Sequence, residues 1–97
     1  MSSYIMLVRW TEAGREKVKE APQRVEFARN ALKSVGGELK ELFFVMGRYD
    51  VLAIAEAPND EAIAKVALRI TGSGAAITET LKAFPEAEGL AIIKGLP

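Results

Sequence analysis

Only four residues, Gly47-Arg48-Tyr49-Asp50, separate two strand-like runs, Leu39 to Met46 and Val51 to Ala57. So short a link leaves no room for a crossover, so the two strands must pair antiparallel. The link has the chemistry of a turn. Gly47 supplies a positive φ, Asp50 can accept nearby backbone N–H bonds, and Tyr49 can cover the end of a sheet. Arg48 is the residue the turn does not explain; it is free to pair with Asp50 or to meet a ligand carboxylate.

The segments around this hairpin restrict the fold further. Tyr4 to Trp10 is rich in large and β-branched residues and reads as a strand, and Thr11 can cap a helical turn with Glu12 in its first turn. Pro22 opens a helix whose apolar face is Val25, Ala28, Leu32 and Val35, and Gly36-Gly37 stops it. Asn59 caps a second helix, with Asp60 and Glu61 in its positive first turn and Ile63, Val66, Ala67 and Ile70 facing inward. Gly72-Ser73-Gly74 ends it, Ile77 to Phe84 forms a fourth strand, and residues 86–95 form a short terminal helix after Pro85. The order is β-α-β-β-α-β over one domain, residues 1–97. With right-handed crossovers it predicts an α+β, ferredoxin-like fold: a four-stranded antiparallel sheet with its helices on one face.

That fold conflicts with the strand patterning. A sheet with one wet face should alternate apolar and polar residues. Here Tyr4, Met6, Val8 and Trp10 are opposed to Ile5 and Leu7, Phe43 and Val45 to Leu42 and Phe44, and Val51, Ala53 and Ala55 to Leu52 and Ile54. Two helices cover one face only. Apolar patches of this size mark interfaces, so a homodimer with its two sheets packed face to face is expected.

Composition excludes several functions. Thirteen basic and thirteen acidic residues give a net charge of zero with no basic patch, so nucleic acid is not an expected partner. The chain has no cysteine, hence no disulfide, and no histidine, which removes Ser-His-Asp catalysis, histidine-bound zinc and histidine-ligated haem. No metal or other cofactor is expected. No basic leader precedes an apolar segment, and no apolar run approaches the roughly 20 residues of a membrane span, so a cytoplasmic protein without membrane contact is expected.

Chemistry must then come from carboxylates, lysine, arginine or tyrosine. Each strand places one charge in a mostly apolar set of one parity: Ile5, Leu7, Arg9; Leu39, Glu41, Phe43; Leu52, Ile54, Glu56; Ile77, Glu79, Leu81. If these sets share a face, Arg9, Glu41, Glu56 and Glu79 border an apolar interior. Glu56 and Glu79 are then the candidate catalytic groups, because crowded carboxylates raise one another's pKa and suit proton transfer. Arg9, Glu41, Arg48 and Tyr49 are the candidate ligand-binding residues. The bland reading, which is preferred, is that these charges sit at strand ends and reach solvent. Trp10, Phe27, Phe43 and Phe44 are expected in the core. Gly72-Ser73-Gly74 lacks the lysine and spacing of a phosphate loop, and Lys17 to Glu20 reads as a solvated face.

The assembled pattern resembles the GYD-domain family. The resemblance is carried by Arg9-Trp10-Thr11, Gly14, Pro22, Arg24, Gly36-Gly37-Glu38-Leu39-Lys40 and Gly47-Arg48-Tyr49-Asp50. It continues through Glu56-Ala57-Pro58-Asn59-Asp60, Gly72, Gly74, Glu79-Thr80-Leu81, Ala83-Phe84 and Glu88. Asn59 departs from the acid more usual there, and either residue caps a helix. The resemblance implies a dimeric α+β barrel. That superfamily includes cofactor-free monooxygenases, isomerases and lactonases, stress proteins, and the effector-binding domains of leucine-responsive regulators. The expected function is a dimeric or higher-order small-molecule-binding protein. The alternatives are a cofactor-independent monooxygenase or isomerase acting on a small hydrophobic or aromatic substrate, and a purely structural oligomerisation module.

Overall fold

The computed structural model describes all 97 residues. In chain order they form β1 (Ser2–Trp10), α1 (Glu12–Glu16), a 3-10 turn (Val18–Glu20), α2 (Ala21–Ser34), β2 (Glu38–Phe44), β3 (Val51–Ala57), α3 (Asp60–Thr71), β4 (Ala76–Ala83) and α4 (Glu86–Lys94). The four strands make one antiparallel sheet in the order β2-β3-β1-β4, the expected ferredoxin-like arrangement. No helix is long and apolar enough to cross a membrane.

The local devices explain where elements begin and end. The Thr11 hydroxyl accepts from Gly14 N–H at 3.1 Å and donates to the Gly74 carbonyl at 2.7 Å, so one side chain caps α1 and ties it to the end of α3. Gly14 passes so close to the Ala75 carbonyl that a Cβ would lie 2.1 Å from its oxygen; no larger residue fits. Arg24 donates to the Gly14 and Lys17 carbonyls, completing the clasp. Asn59 caps α3 by accepting from Ala62 N–H at 2.9 Å.

The core lies between the sheet and the two long helices. Tyr4, Met6, Ala53, Ala55 and Ala57 face Ala31 and Leu32 of α2 and Ile63 and Val66 of α3. On α2 the most buried positions are Ala21, Ala31 and Leu32, whereas Val25, Ala28 and Val35 are half-buried. The Tyr4 hydroxyl leaves this core to donate to Asp60 Oδ1 at 2.6 Å, and Lys82 Nζ approaches the same oxygen at 3.3 Å. Burial, and then the bond to the Asp60 carboxylate, push the Tyr4 phenol up from its ordinary value; the Tyr4 and Lys82 contacts hold the Asp60 carboxyl down.

Two sequence expectations need correction. Strand β2 ends at Phe44 rather than Met46; Val45 N–H still donates to the Asp50 carbonyl at 2.9 Å as a last rung, and the chain then turns through Met46–Tyr49. Phe27, Phe43 and Phe44 are exposed rather than core, and Trp10 is half-buried. Phe43 lies on the sheet face no helix covers, Phe44 stands 6.5 Å from Trp10 at the sheet end, and Phe27 lies beneath the Arg69 guanidinium at 5.0 Å.

Candidate functional site

Residues directly opposite one another in an antiparallel sheet point to the same side. Ser3 pairs Glu56, Ile5 pairs Ile54, and Leu7 pairs Leu52; Leu7 also pairs Glu79, Ile5 pairs Leu81, and Arg9 pairs Ile77. Glu41 pairs Ile54 and Phe43 pairs Leu52. Arg9, Glu41, Glu56 and Glu79 therefore share the face away from the helices. Leu39 does not join them. A register shift between Leu39 and Glu41 turns Leu39 into the core, opposite Ala55, while Glu41 stays outside. That bulge has no signature in the parity of the sequence.

Although they share a face, the charges fall into two groups. Glu56 sits across from Glu38, with Glu41 diagonally beside it, near the Ser3 end of the sheet. Glu79 sits four rungs of β1 away, about 13 Å at the usual rise of a strand. No three carboxylates converge closely enough to hold a metal ion. The crowding of Glu41, Glu56 and Glu79 on which one reading depended is absent.

The second group lies at the hairpin end. Asp50 fixes it: its N–H donates to the Val8 carbonyl at 2.8 Å and its carboxylate accepts from Trp10 N–H at 2.9 Å. These bonds pin the Gly47–Asp50 loop to the end of β1. Gly47 holds φ at +106°, as the turn requires. Tyr49, thus anchored, reaches across the sheet and its hydroxyl donates to Glu79 Oε2 on β4 at 2.5 Å. The bond to the Glu79 carboxylate is the main cause that raises the Tyr49 phenol above its ordinary value, and the fields of Arg48 and Arg9 pull it back down. Arg9 stands on the same face one rung pair from Glu79, and Arg48 precedes Tyr49 in the loop. Neither Arg9 nor Arg48 forms an ion pair or a side-chain hydrogen bond; Asp50, the proposed partner of Arg48, spends its carboxylate on β1.

The structure thus brings Arg9, Arg48, Tyr49 and Glu79 together and leaves Glu41 and Glu56 at a distance. The Tyr49–Glu79 bond was not legible in the sequence; the only signal was that Glu79 has the parity of Arg9. Around the cluster spread Ile5, Leu7, Leu52 and Ile54, half-buried, and Phe43, Ile77 and Leu81, 50%, 57% and 49% exposed. The hollows of the molecule lie elsewhere, one of them between the end of α2 and the start of α3 around Val35 and Asn59. An apolar cavity of about 80 Å³ lies under α2 on the helix side, and an open groove of about 780 Å³ follows α1 and α2. None is lined by any of the six candidate residues.

Comparison with known proteins gives a consistent picture. Residues 4–93 match the family described as GYD domain. A curated relative from Thermus thermophilus is 28% identical over 95 residues, which are 97% of this chain and 100% of the relative. It is named glutamine synthetase and cystathionine beta-lyase binding protein. Among solved structures, TTHA0845, also from Thermus thermophilus, aligns with a TM-score of 0.54 at 25% identity, covering 88% of this chain and 95% of that one. FFRP-DM1 aligns with a TM-score of 0.59 at 17% identity over 87% of this chain and 100% of its own, a likeness of fold alone.

Proposed function

The chain belongs to the GYD-domain family, whose function is poorly known, and from that premise we propose that it is a homodimeric small-molecule-binding protein. Two copies pack open face against open face, and the ligand sits where the apolar surface meets Arg9 and the Tyr49–Glu79 pair. The observation that carries this reading is the composition of the open face. Large apolar side chains stand exposed or half-buried on every strand but end at one organised polar cluster. Apolar area of this kind marks an interface, and a few convergent polar groups beside an apolar wall are the usual make-up of a ligand site. Arg9 has all its donors free for a carboxylate, and the outer oxygen of Glu79 is free to accept from an ammonium or hydroxyl group. The ligand class is a small molecule with an apolar or aromatic body, a carboxylate and a neighbouring donor.

Light scattering after size exclusion is expected to give the mass of two chains. Amino acids and aromatic carboxylates are then screened by thermal shift. A ligand at a hundredfold its Kd stabilises the protein by about 2.7 kcal/mol, and Arg9→Ala is expected to remove the shift. A monomer at micromolar concentration ends this reading. Any proton transfer here would rest on Glu79 with Tyr49, because Glu56 is too far away to act on the same atom.

A second reading follows from the relative named for binding two enzymes. In it the chain is an adaptor for enzymes of nitrogen or sulfur amino-acid metabolism. Surface plasmon resonance against purified glutamine synthetase and cystathionine beta-lyase tests it, and no response from either enzyme rejects it.

A further inference from the structure

The terminal helix α4 has no partner in its own chain. None of its residues is buried, and it makes no extended packing contact with any other element. It is nonetheless apolar on most sides: Leu90, Ile92 and Ile93 are exposed, as is Leu96 just beyond. Its only charges are Glu86 and Glu88 in the first turn and Lys94 in the last. A helix of this kind is stable only when covered. The molecule is stretched accordingly, measuring 51 × 30 × 18 Å with a radius of gyration of 14.4 Å, against roughly 12.5 Å for a compact chain of this length.

A second feature is left over at the far corner of the sheet. The β2–β3 loop presents Met46, 99% exposed, next to Gly47 and the unpaired Arg48. This surface is apolar and basic, whereas the start of α4 is apolar and acidic. Within one chain the two cannot meet. The strand order puts the loop on the β2–β3 side, at the end where Val8 pairs Val51; α4 leaves the opposite edge strand, at the end where Ser3 pairs Ala83. The length of the sheet, about 26 Å for eight residues, separates them. The nine residues of α4 span only about 14 Å.

We infer that α4 is an exchanged arm that docks on the β2–β3 loop of a second copy of this chain, with Leu90 and Ile93 against the partner copy's Met46 and Glu86 and Glu88 toward its Arg48. Symmetry supports this occupant. The loop and α4 lie at diagonally opposite corners of the sheet. A two-fold axis parallel to the sheet and perpendicular to the line joining them brings open face onto open face and interchanges those corners. Each arm then meets the other chain's loop in two identical contacts.

This inference rests on the face-to-face dimer proposed above, and the experiment separates the two. Sedimentation measures the dimer Kd of the native chain, of Glu86→Lys with Glu88→Lys, of Arg48→Glu, and of an equal mixture of these two variants. In each variant alone like charges face one another, so each is expected to weaken association about tenfold, while the mixture pairs opposite charges and recovers native affinity. A chain ending at Pro85 loses the whole apolar contact and is expected to weaken association about a hundredfold, with its far-UV spectrum changed only by the missing helix. If the native chain dimerises and the truncated chain does so with the same Kd, the arm is overturned and the face-to-face dimer stands. If the charge variants dimerise natively, or their mixture fails to recover, the arm is likewise overturned. A monomeric native chain overturns both readings together.

Discussion

The two faces of the sheet use the same kinds of residue to opposite ends. On the helix face Tyr4, Met6, Ala53, Ala55 and Ala57 are sealed under α2 and α3; small alanines on β3 let the helices approach closely. On the other face Ile5, Leu7, Leu52 and Ile54 are half-buried, and Phe43, Ile77 and Leu81 stand out in solvent. One face is finished within the chain and the other is not. The covered face gives its apolar burial to the stability of a lone protomer; the exposed part of the open face is apolar area that the proposed dimer would bury.

The largest expected effect tests that division directly. Leu32→Ala empties a fully buried site and is expected to cost about 2–5 kcal/mol in urea unfolding without altering self-association. Leu52→Glu on the open face is expected to do the reverse, abolishing the dimer while leaving the secondary structure intact. If Leu52→Glu instead unfolds the protomer, the two faces are not independent.

Next in size is the clasp behind the sheet. Gly14→Ala forces a Cβ against the Ala75 carbonyl and is expected to cost about 2 kcal/mol, within the range of overpacking substitutions. No loss on thermal unfolding would mean that the Ala75 turn moves aside freely.

A smaller effect comes from the Tyr4 hydroxyl. Tyr4→Phe is expected to cost about 1 kcal/mol near neutral pH. The sign of its pH dependence follows from both shifts. Folding raises the Tyr4 pKa, so that contribution is whole below the ordinary tyrosine value of 10.0 and is lost as pH climbs through the raised value. Folding lowers the Asp60 pKa, so that contribution is present above the ordinary 3.8 and is lost as pH falls through the lowered value. The difference between native protein and Tyr4→Phe is therefore expected to shrink at both extremes.

The smallest effect sharpens the open face. The chain has two tyrosines, and ultraviolet titration is expected to find both above the ordinary value. Glu79→Gln removes the carboxylate that Tyr49 bonds and is expected to bring one of the two back toward 10.0, with little change in stability. If neither moves, the Tyr49–Glu79 bond is not the organising contact of the cluster.

Much of this architecture was legible beforehand because its causes are local. Asn59 and Thr11 announce helix starts, Gly47 announces a turn, and four residues between two apolar runs leave only a hairpin. The resemblance to the family was also readable, and the structure explains part of it. Thr11, Gly14, Arg24 and Gly74 hold the helix layer to the sheet end, and Asp50 pins the loop. The candidate site was legible only as a set of parities. The bulge at Lys40 removed Leu39 from that set, and strand order divided Glu56 from Glu79. The exposure of Phe43 and Phe44 was missed because hydrophobicity states a tendency to be covered, without naming the layer that does it.

The sequence by itself determined the elements, their order, and the excess of apolar surface that two helices cannot cover. Periodicity, caps and turn residues act within a few positions, so one chain of letters contains them. Only the tertiary structure decided that Tyr49 meets Glu79, that Asp60 receives Tyr4 and Lys82, and that α4 stands away from the body. Those contacts join residues from 22 to 56 positions apart and depend on register and strand order, which arise when the strands pair.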